Sequence, residues 1–183
     1  MTRLITVDDL AAGMSTVLAE TLPDLIDAFG LNVAQGGEKP YTAPATWTQI
    51  PRLEVLQAAD MPAGAIASSG TVGTPTTRRT GVDATWRLSV AVFDRGQDHN
   101  VTARRVRTWA ALVRAVGLRN PTLGGVASGV RWVSESYRLA SDRGAARTLG
   151  GCQVDFDVDA RNVVDVEAWQ PVTSPQAPDI TVR

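Results

Sequence analysis

Three aspartates, Asp155, Asp157 and Asp159, alternate with apolar residues and therefore share one face of a predicted strand, about 6.6 to 6.8 Å from one to the next. This spacing resembles the opening of a calcium-binding loop, which also needs a glycine and, at its twelfth position, a glutamate. Ala160 and Val166 stand there instead, so we reject that loop. Two interpretations stay open: a solvated strand face, or an acidic surface that repels phosphates and lets DNA pass without binding it.

His99 and Cys152 are the only histidine and cysteine, so a Cys–His nucleophile pair would need both of them. Cys152 falls on the apolar side of its predicted strand, where a buried and unreactive thiol is expected. One residue of each type also excludes the usual zinc sites. Gly124, Gly125 and Gly129 precede no Lys-Ser or Lys-Thr and so predict turns, not a phosphate-binding loop. The sequence predicts a protein that is not an enzyme and uses no cofactor or metal.

Arginines line the outer side of a predicted amphipathic helix that runs from about Asn100 to Val116. Arg104, Arg107 and Arg114 share one sector of it. The opposite side carries an apolar stripe of Val106, Trp109, Ala110, Val113 and Val116. The three arginines can be solvated, pair with acids of a neighbouring subunit, or bind phosphate. Pairing between subunits is the functional interpretation we favour, although exposed ion pairs are individually weak.

The elements that position these residues follow from periodicity. A first helix is predicted from about Val7 to Phe29, with a capping box at Thr6 and Asp9 and a break before Pro23. Alternation predicts strands at Trp47 to Leu56, Ala65 to Ser68, Trp86 to Phe93, Val130 to Leu139 and Thr148 to Val158. A turn is predicted from Asp94 to Asp98, before the second helix. The expected fold is α+β, with a mainly antiparallel sheet flanked by an N-terminal helix and a central amphipathic helix.

Two segments are predicted to project from this fold. The stretch from Ser69 to Gly81 is rich in Gly, Thr and Pro and predicts a long mobile loop. Its candidate docking residues are Thr71, Arg78 and Arg79. Residues 1–169 are expected to form a single domain, and residues 170–183, with three prolines, a C-terminal arm. Trp169, at the junction, is the predicted interface anchor.

Composition limits the function further. The 183 residues suffice for one domain with a sizeable core. A formal net charge of -1 gives no general attraction to nucleic acid or to anionic membranes. The apolar stretches are far shorter than the roughly 20 residues of a membrane span, and the N-terminus lacks the apolar core of a secretion signal. We therefore expect no membrane association, and a single cysteine fits a reducing cytoplasm.

The order of several segments resembles tail terminator proteins of long-tailed bacteriophages that infect actinobacteria. The resemblance spans about Leu4 to Val166 and rests on pattern and segment order, not on a catalytic motif. The segments that carry it are the N-terminal helix, the loop Ser69 to Gly81, the strand Ala84 to Val92, the helix beginning Thr102-Ala103-Arg104-Arg105, the segment Asn120-Pro121-Thr122-Leu123-Gly124-Gly125 and the strand Val130 to Tyr137.

Members of that family are not enzymes. They form a hexameric ring that stops polymerisation of the tail tube and joins the tail to the neck of the capsid. The resemblance implies a homohexamer that is assembled in the host cytoplasm, becomes part of the virion, and contacts the tail tube protein and a head-completion or neck protein. Double-stranded DNA would pass through without specific binding.

The resemblance also assigns the surfaces, because sheets surround the channel in that family. Asp155, Asp157 and Asp159 are then expected to line the channel. The expected subunit-interface residues are Arg104, Arg107, Arg114 and Trp169.

Other functions stay open. Another neck or head-completion connector, or the tail tube subunit, would share most of these features. A DNA-binding regulator would have to use Arg104 to Arg114 as its recognition helix. A small hydrolase or transferase would need clustered histidine, cysteine or serine with a base, whereas this chain offers one histidine.

Overall fold

A computed structural model describes residues 4–34, 38–49, 61–79, 81–141 and 148–165. The described ranges contain two α-helices, a 3₁₀ turn and six strands. They are α1 (Val7–Ala28), β1 (Trp47–Thr48), β2 (Ala63–Thr71), β3 (Thr76–Thr77), β4 (Gly81–Gly96), α2 (His99–Arg119), a 3₁₀ turn (Leu123–Gly125), β5 (Gly129–Ser141) and β6 (Thr148–Asp165).

The strands described form one six-stranded sheet in the order β1-β2-β4-β6-β5, with β3 also paired to β4. Only the short β1–β2 pair is parallel among the described pairs, and the others are antiparallel. The predicted α+β fold with a mainly antiparallel sheet is therefore confirmed. The two longest strands, β4 and β6, are neighbours at the centre, so the predicted alternating strands form the middle of the sheet.

Both helices contribute to one hydrophobic core with a single face of the sheet. The residues of β4 and β6 that point to this face are fully buried: Leu88, Val90, Val92, Val154, Phe156 and Val158. Trp109 of α2 is fully buried against them, as its position in the apolar stripe predicts. A Cβ on Gly117 would lie 2.6 Å from the Phe156 ring, so α2 approaches the sheet closely at this glycine.

A buried ion pair joins the end of β4 to the start of α2. The Asp94 Oδ2 atom lies 2.7 Å from Arg105 Nη2, and each side chain is only 2% exposed. The same oxygen accepts a 2.8 Å hydrogen bond from the Trp109 indole. Arg105 also donates to the Lys39 carbonyl at 2.6 Å and lies over the Tyr41 ring. Because the partners come from three segments, the pair fixes α2 and residues 39–41 to the sheet.

The structure corrects several predicted boundaries. The capping box at Thr6 and Asp9 is confirmed, but α1 continues through Pro23 without a break. Apolar residues on both sides of the proline are buried, and their packing outweighs the lost hydrogen bond. The predicted turn from Asp94 is wrong for residues 94–96, which belong to β4. Residues 50–56 of the first predicted strand lie outside the described residues.

The prediction of one long loop from Ser69 to Gly81 is also wrong. Residues 69–71 continue β2, Thr76 and Thr77 form β3, and Gly81 begins β4. The β-branched threonines pair there with the first residues of β4, which starts well before the predicted Trp86.

Replacing Arg105 by Met should destabilise the protein by about 3 to 5 kcal/mol, because the substitution leaves the Asp94 carboxylate buried and unpaired. The measurement is urea unfolding followed by tryptophan fluorescence. Arg104→Met is the matched control, since the Arg104 side chain is 64% exposed, and its effect should stay within about 0.5 kcal/mol. Equal midpoints for the two variants would contradict the importance assigned to the buried pair.

Candidate functional site

One face of the sheet is packed against the helices, and the other carries mainly polar side chains. We call this second surface the open face, defined by the outward residues of β4 from Thr85 to Arg95 and those opposite them on β5 and β6. Asp155, Asp157 and Asp159 all lie on it, as predicted. The register places them in the central strand β6, between β4 on one side and β5 on the other.

Each of the three carboxylates is bound by side chains of the neighbouring strands. Asp157 accepts a 2.7 Å hydrogen bond from Arg87 Nε. Asp159 accepts from Arg131 Nη1 and from the Thr85 hydroxyl, both at 2.6 Å. These contacts are intrachain ion pairs and hydrogen bonds, so the acids are components of a network across three strands.

Asp155 is held by neutral donors. Its oxygens accept from the Ser89 hydroxyl at 2.6 Å, the Ser134 hydroxyl at 2.8 Å and the Gln153 amide at 2.9 Å. Partial burial acts to raise the pKa of this carboxyl, but the three hydrogen bonds outweigh it and lower the pKa below its usual value. Asp155 is therefore ionised at neutral pH.

The three aspartates share the outer face of β6, but the interpretation that they make an acidic surface is wrong for the open face as a whole. The charged residues on it are Arg87, Arg95, Arg131, Arg138, Asp155, Asp157 and Asp159, so four positive and three negative charges give a net charge of +1. The aspartates alternate along β6 as predicted, but the arginines belong to the adjacent strands. A surface of paired charges does not repel DNA as an acidic wall would, although pairing does weaken the attraction of its arginines for phosphate.

The predicted docking residues lie at one end of this face. Thr71 ends β2 opposite Trp86, and Arg78 forms a 2.6 Å ion pair with Asp83. Arg79 is exposed. Residues around Arg78 line a polar cavity of about 310 Å³ that also includes Asp159. Of the docking candidates only Arg78 lines this cavity, and of the acidic row only Asp159 does.

The three arginines predicted for the subunit interface differ in their surroundings. Arg104 forms an ion pair with Glu38. Arg114 pairs with Glu135 at 2.8 Å, and its guanidinium lies 4.8 Å from the centre of the Trp132 ring. Arg107 is exposed and forms no ion pair with another described residue. Of the three, Arg107 is best placed to contact another molecule, whereas the charge of Arg114 is balanced within the chain.

Among the described strands, β5 forms one edge of the sheet along its 13 residues. Its exposed apolar side chains include Trp132, Val133 and Tyr137, which are 44%, 40% and 41% exposed. A register shift between Trp132 and Ser134 interrupts the pairing with β6. A long edge with exposed aromatic residues is a surface on which another chain can add a strand. Trp169, the predicted interface anchor, lies outside the described residues.

The residues considered for catalysis do not form a reactive pair. Cys152 is 2% exposed on the core side of β6, as predicted, and burial raises the pKa of its thiol to about 12. His99 is exposed as the first residue of α2. Among the described residues, no group of three or more His, Cys, Asp or Glu side chains could hold a metal ion. Neither described helix is long and apolar enough to cross a membrane.

The sequence analysis missed the partners of the acidic row. The alternation of β4 does place Arg87 and Ser89 on its outer face, but only the register shows that they lie opposite Asp157 and Asp155. Arg131 likewise falls in a predicted strand, but the sequence does not identify Asp159 as its partner.

Comparison with protein-family models finds no matching family, and comparison with curated proteins finds no match.

The stability difference between wild type and Cys152→Ala should depend on alkaline pH. The folded thiol has a pKa of about 12 against an ordinary value of 9.0 for an exposed cysteine, so the stability that the protonated thiol contributes is complete below pH 9 and is lost from pH 9 to 12. At pH 10.5 the wild type should have lost about 2 kcal/mol relative to the variant. The measurement is urea unfolding at pH 8 and 10.5, with Cys152→Ser as a second variant without a titrating thiol. Parallel pH profiles for wild type and both variants would contradict the prediction.

Proposed function

We propose that this protein is a structural component of a bacteriophage virion, a tail terminator that forms a hexameric ring at the end of the tail tube. The ring joins the tail to the head or neck and leaves a channel for double-stranded DNA. The proposal rests on the resemblance in segment order and on the difference between the two faces of the sheet, one covered by helices and the other polar. Its partners are further copies of this chain, the tail tube protein and a head-completion or neck protein.

The observation that carries the proposal is the open face, where a polar network links β4, β5 and β6 around Asp155, Asp157 and Asp159. Arg87 and Arg131 are each paired with a carboxylate at 2.6 to 2.7 Å. A guanidinium that is already paired gains less from binding phosphate, because part of the counterion release is lost. Such a surface suits a channel through which DNA must slide. We place Asp155, Asp157 and Asp159 on the channel wall for this reason.

Contacts between copies require two different complementary surfaces on each subunit, because a rotational ring is built from head-to-tail interfaces. The edge strand β5 and the exposed side of α2 with Arg104 and Arg107 are two such surfaces. Trp169 is proposed for the same contacts. Thr71, Arg78 and Arg79 are proposed to contact a neighbouring ring, since they lie together at one end of the sheet.

A nonsense mutation in the gene for this chain should leave the virus with separate heads and with tails of uncontrolled length. The measurement is electron microscopy of the lysate, with the wild-type gene supplied in trans as the control. Filled heads joined to normal tails would overturn the proposal. Tails of normal length beside separate heads would favour a head-completion connector, and an absence of tails would favour the tail tube subunit.

The double variant Asp157→Asn/Asp159→Asn should bind double-stranded DNA more tightly than wild type, because the net charge of the open face rises from +1 to +3. The slope of log K against log salt concentration should become steeper by about 1.8 for the two released arginines. Fluorescence anisotropy with a DNA duplex measures both quantities. Glu20→Gln/Asp24→Asn, on the exposed side of α1, makes the same change in total charge and should leave binding unaltered. Equal DNA binding by the two double variants would contradict the placement of the open face on the channel wall.

A further inference from the structure

An apolar groove lies between the end of α1 and the outer side of α2. It has a volume of about 660 Å³. Its apolar lining consists of Phe29, Leu31, Ala111, Leu112 and Ala115. Phe29 is 65% exposed at its rim, which is unusual for a large aromatic side chain in a soluble domain. An exposed apolar groove of this kind is typical of a surface that binds another segment of chain.

Two guanidinium groups border the groove and define the charge of its occupant. Arg104 and Arg107 both line it. Arg104 is paired with Glu38, while Arg107 has no ion pair among the described residues. The groove therefore suits a segment with apolar side chains to fill it and at least one carboxylate to meet Arg107.

Residues 164–169 of this chain have that composition. Their sequence is Val-Asp-Val-Glu-Ala-Trp, in which apolar residues alternate with two acids and a tryptophan follows. The described part of β6 ends at Asp165, and Glu167 and Trp169 follow in the sequence two and four residues later. Tryptophan is among the residues that contribute most to binding at protein interfaces.

Distance excludes the groove of the same copy. The Ile5 amide donates to the Val163 carbonyl, which places the end of β6 beside the start of α1. Phe29 follows the other end of α1, and a helix of 22 residues is about 33 Å long. Four residues beyond Asp165 extend at most about 14 Å, so Trp169 cannot reach Phe29 of its own chain.

We infer that the groove between α1 and α2 binds the segment Val166–Trp169 of a second copy of this chain, with Trp169 in the apolar part and Glu167 paired with Arg107. The inference deepens the proposed ring, since it names the residues of one head-to-tail contact, and its self-association part can be tested without any virion. Each copy donates its segment from one end of the domain and accepts another at the opposite end.

The first test exchanges the charges across the contact in the full-length chain. Arg107→Glu and Glu167→Arg should each weaken self-association at least tenfold, and Trp169→Ala about thirtyfold. An equimolar mixture of the two charge variants should regain association, because each then meets an opposite charge on its neighbour. Sedimentation velocity measures the apparent dissociation constants. Arg119→Glu, about 18 Å further along α2, is the matched control and should associate like wild type.

The second test detects the contact directly by crosslinking two differently labelled copies in the Cys152→Ala background. One copy carries Ala111→Cys in the groove and the other Ala168→Cys. A short bis-maleimide should join them into a mixed dimer. Ala12→Cys, exposed near the start of α1, replaces Ala111→Cys in the control and should give no mixed dimer.

The outcomes separate this contact from the ring proposal. The groove contact would be overturned if the wild-type chain stayed monomeric. It would also be overturned if Arg107→Glu and Trp169→Ala associated like wild type and the groove gave no crosslinks. Oligomers that persist in those variants would leave the ring proposal in place. Groove crosslinks together with normal joined virions from the nonsense mutant would overturn the tail terminator function and keep the contact.

Discussion

The buried pair of Asp94 and Arg105 anchors α2 on the apolar face of the sheet. Both side chains are 2% exposed. Asp94 accepts hydrogen bonds from Arg105, the Trp109 indole and the Arg95 amide, and Arg105 also donates to the Lys39 carbonyl. A charge in such a place is tolerable only when each partner is present. The pair therefore fixes the direction of α2 across the core face, and no described helix covers the opposite face. The open face is a consequence of this arrangement as much as of its own polar residues.

Much of the framework could be predicted from periodicity, because burial on one side is a local property of each element. The stripe from Val106 to Val116 and the alternation around Cys152 both give the correct buried side. Partners across the sheet could not be predicted in this way. Arg105 shares the buried side of α2 with Trp109 and Leu112, but periodicity could not identify Asp94 as its partner. The acidic row of β6 was found for its spacing, yet its charge balance depends on Arg87 and Arg131, which are distant in sequence.

Paired charges stabilise the aspartate row of the open face and reduce the net charge that the face presents to DNA. An unpaired row of aspartates spaced along one strand would repel itself as well as DNA. Between Arg87 and Arg131 the same row is stabilised, while the hydrogen bonds to Asp155 come from neutral donors and keep it ionised. The network is rigid because its members belong to three hydrogen-bonded strands. A DNA duplex that passes such a surface meets alternating charges at close range and little net field beyond a Debye length of about 8 Å.

Trp169 follows Asp165 by only four residues, and this length constrains how copies could assemble through the contact inferred above. A segment of about 14 Å cannot act as a long tether, so the end of β6 in one copy must lie close to the groove of the next. Donor and acceptor lie at opposite ends of α1, about 33 Å apart. Such a contact is head-to-tail, and repeated contacts of this kind produce a closed ring or an open filament, depending on the rotation between copies. A ring requires that this rotation be fixed, and a tryptophan held in a groove beside a charge pair restricts it more than an ion pair alone would. In the proposed contact, the segment that joins two copies would in this way also set how many copies close the ring.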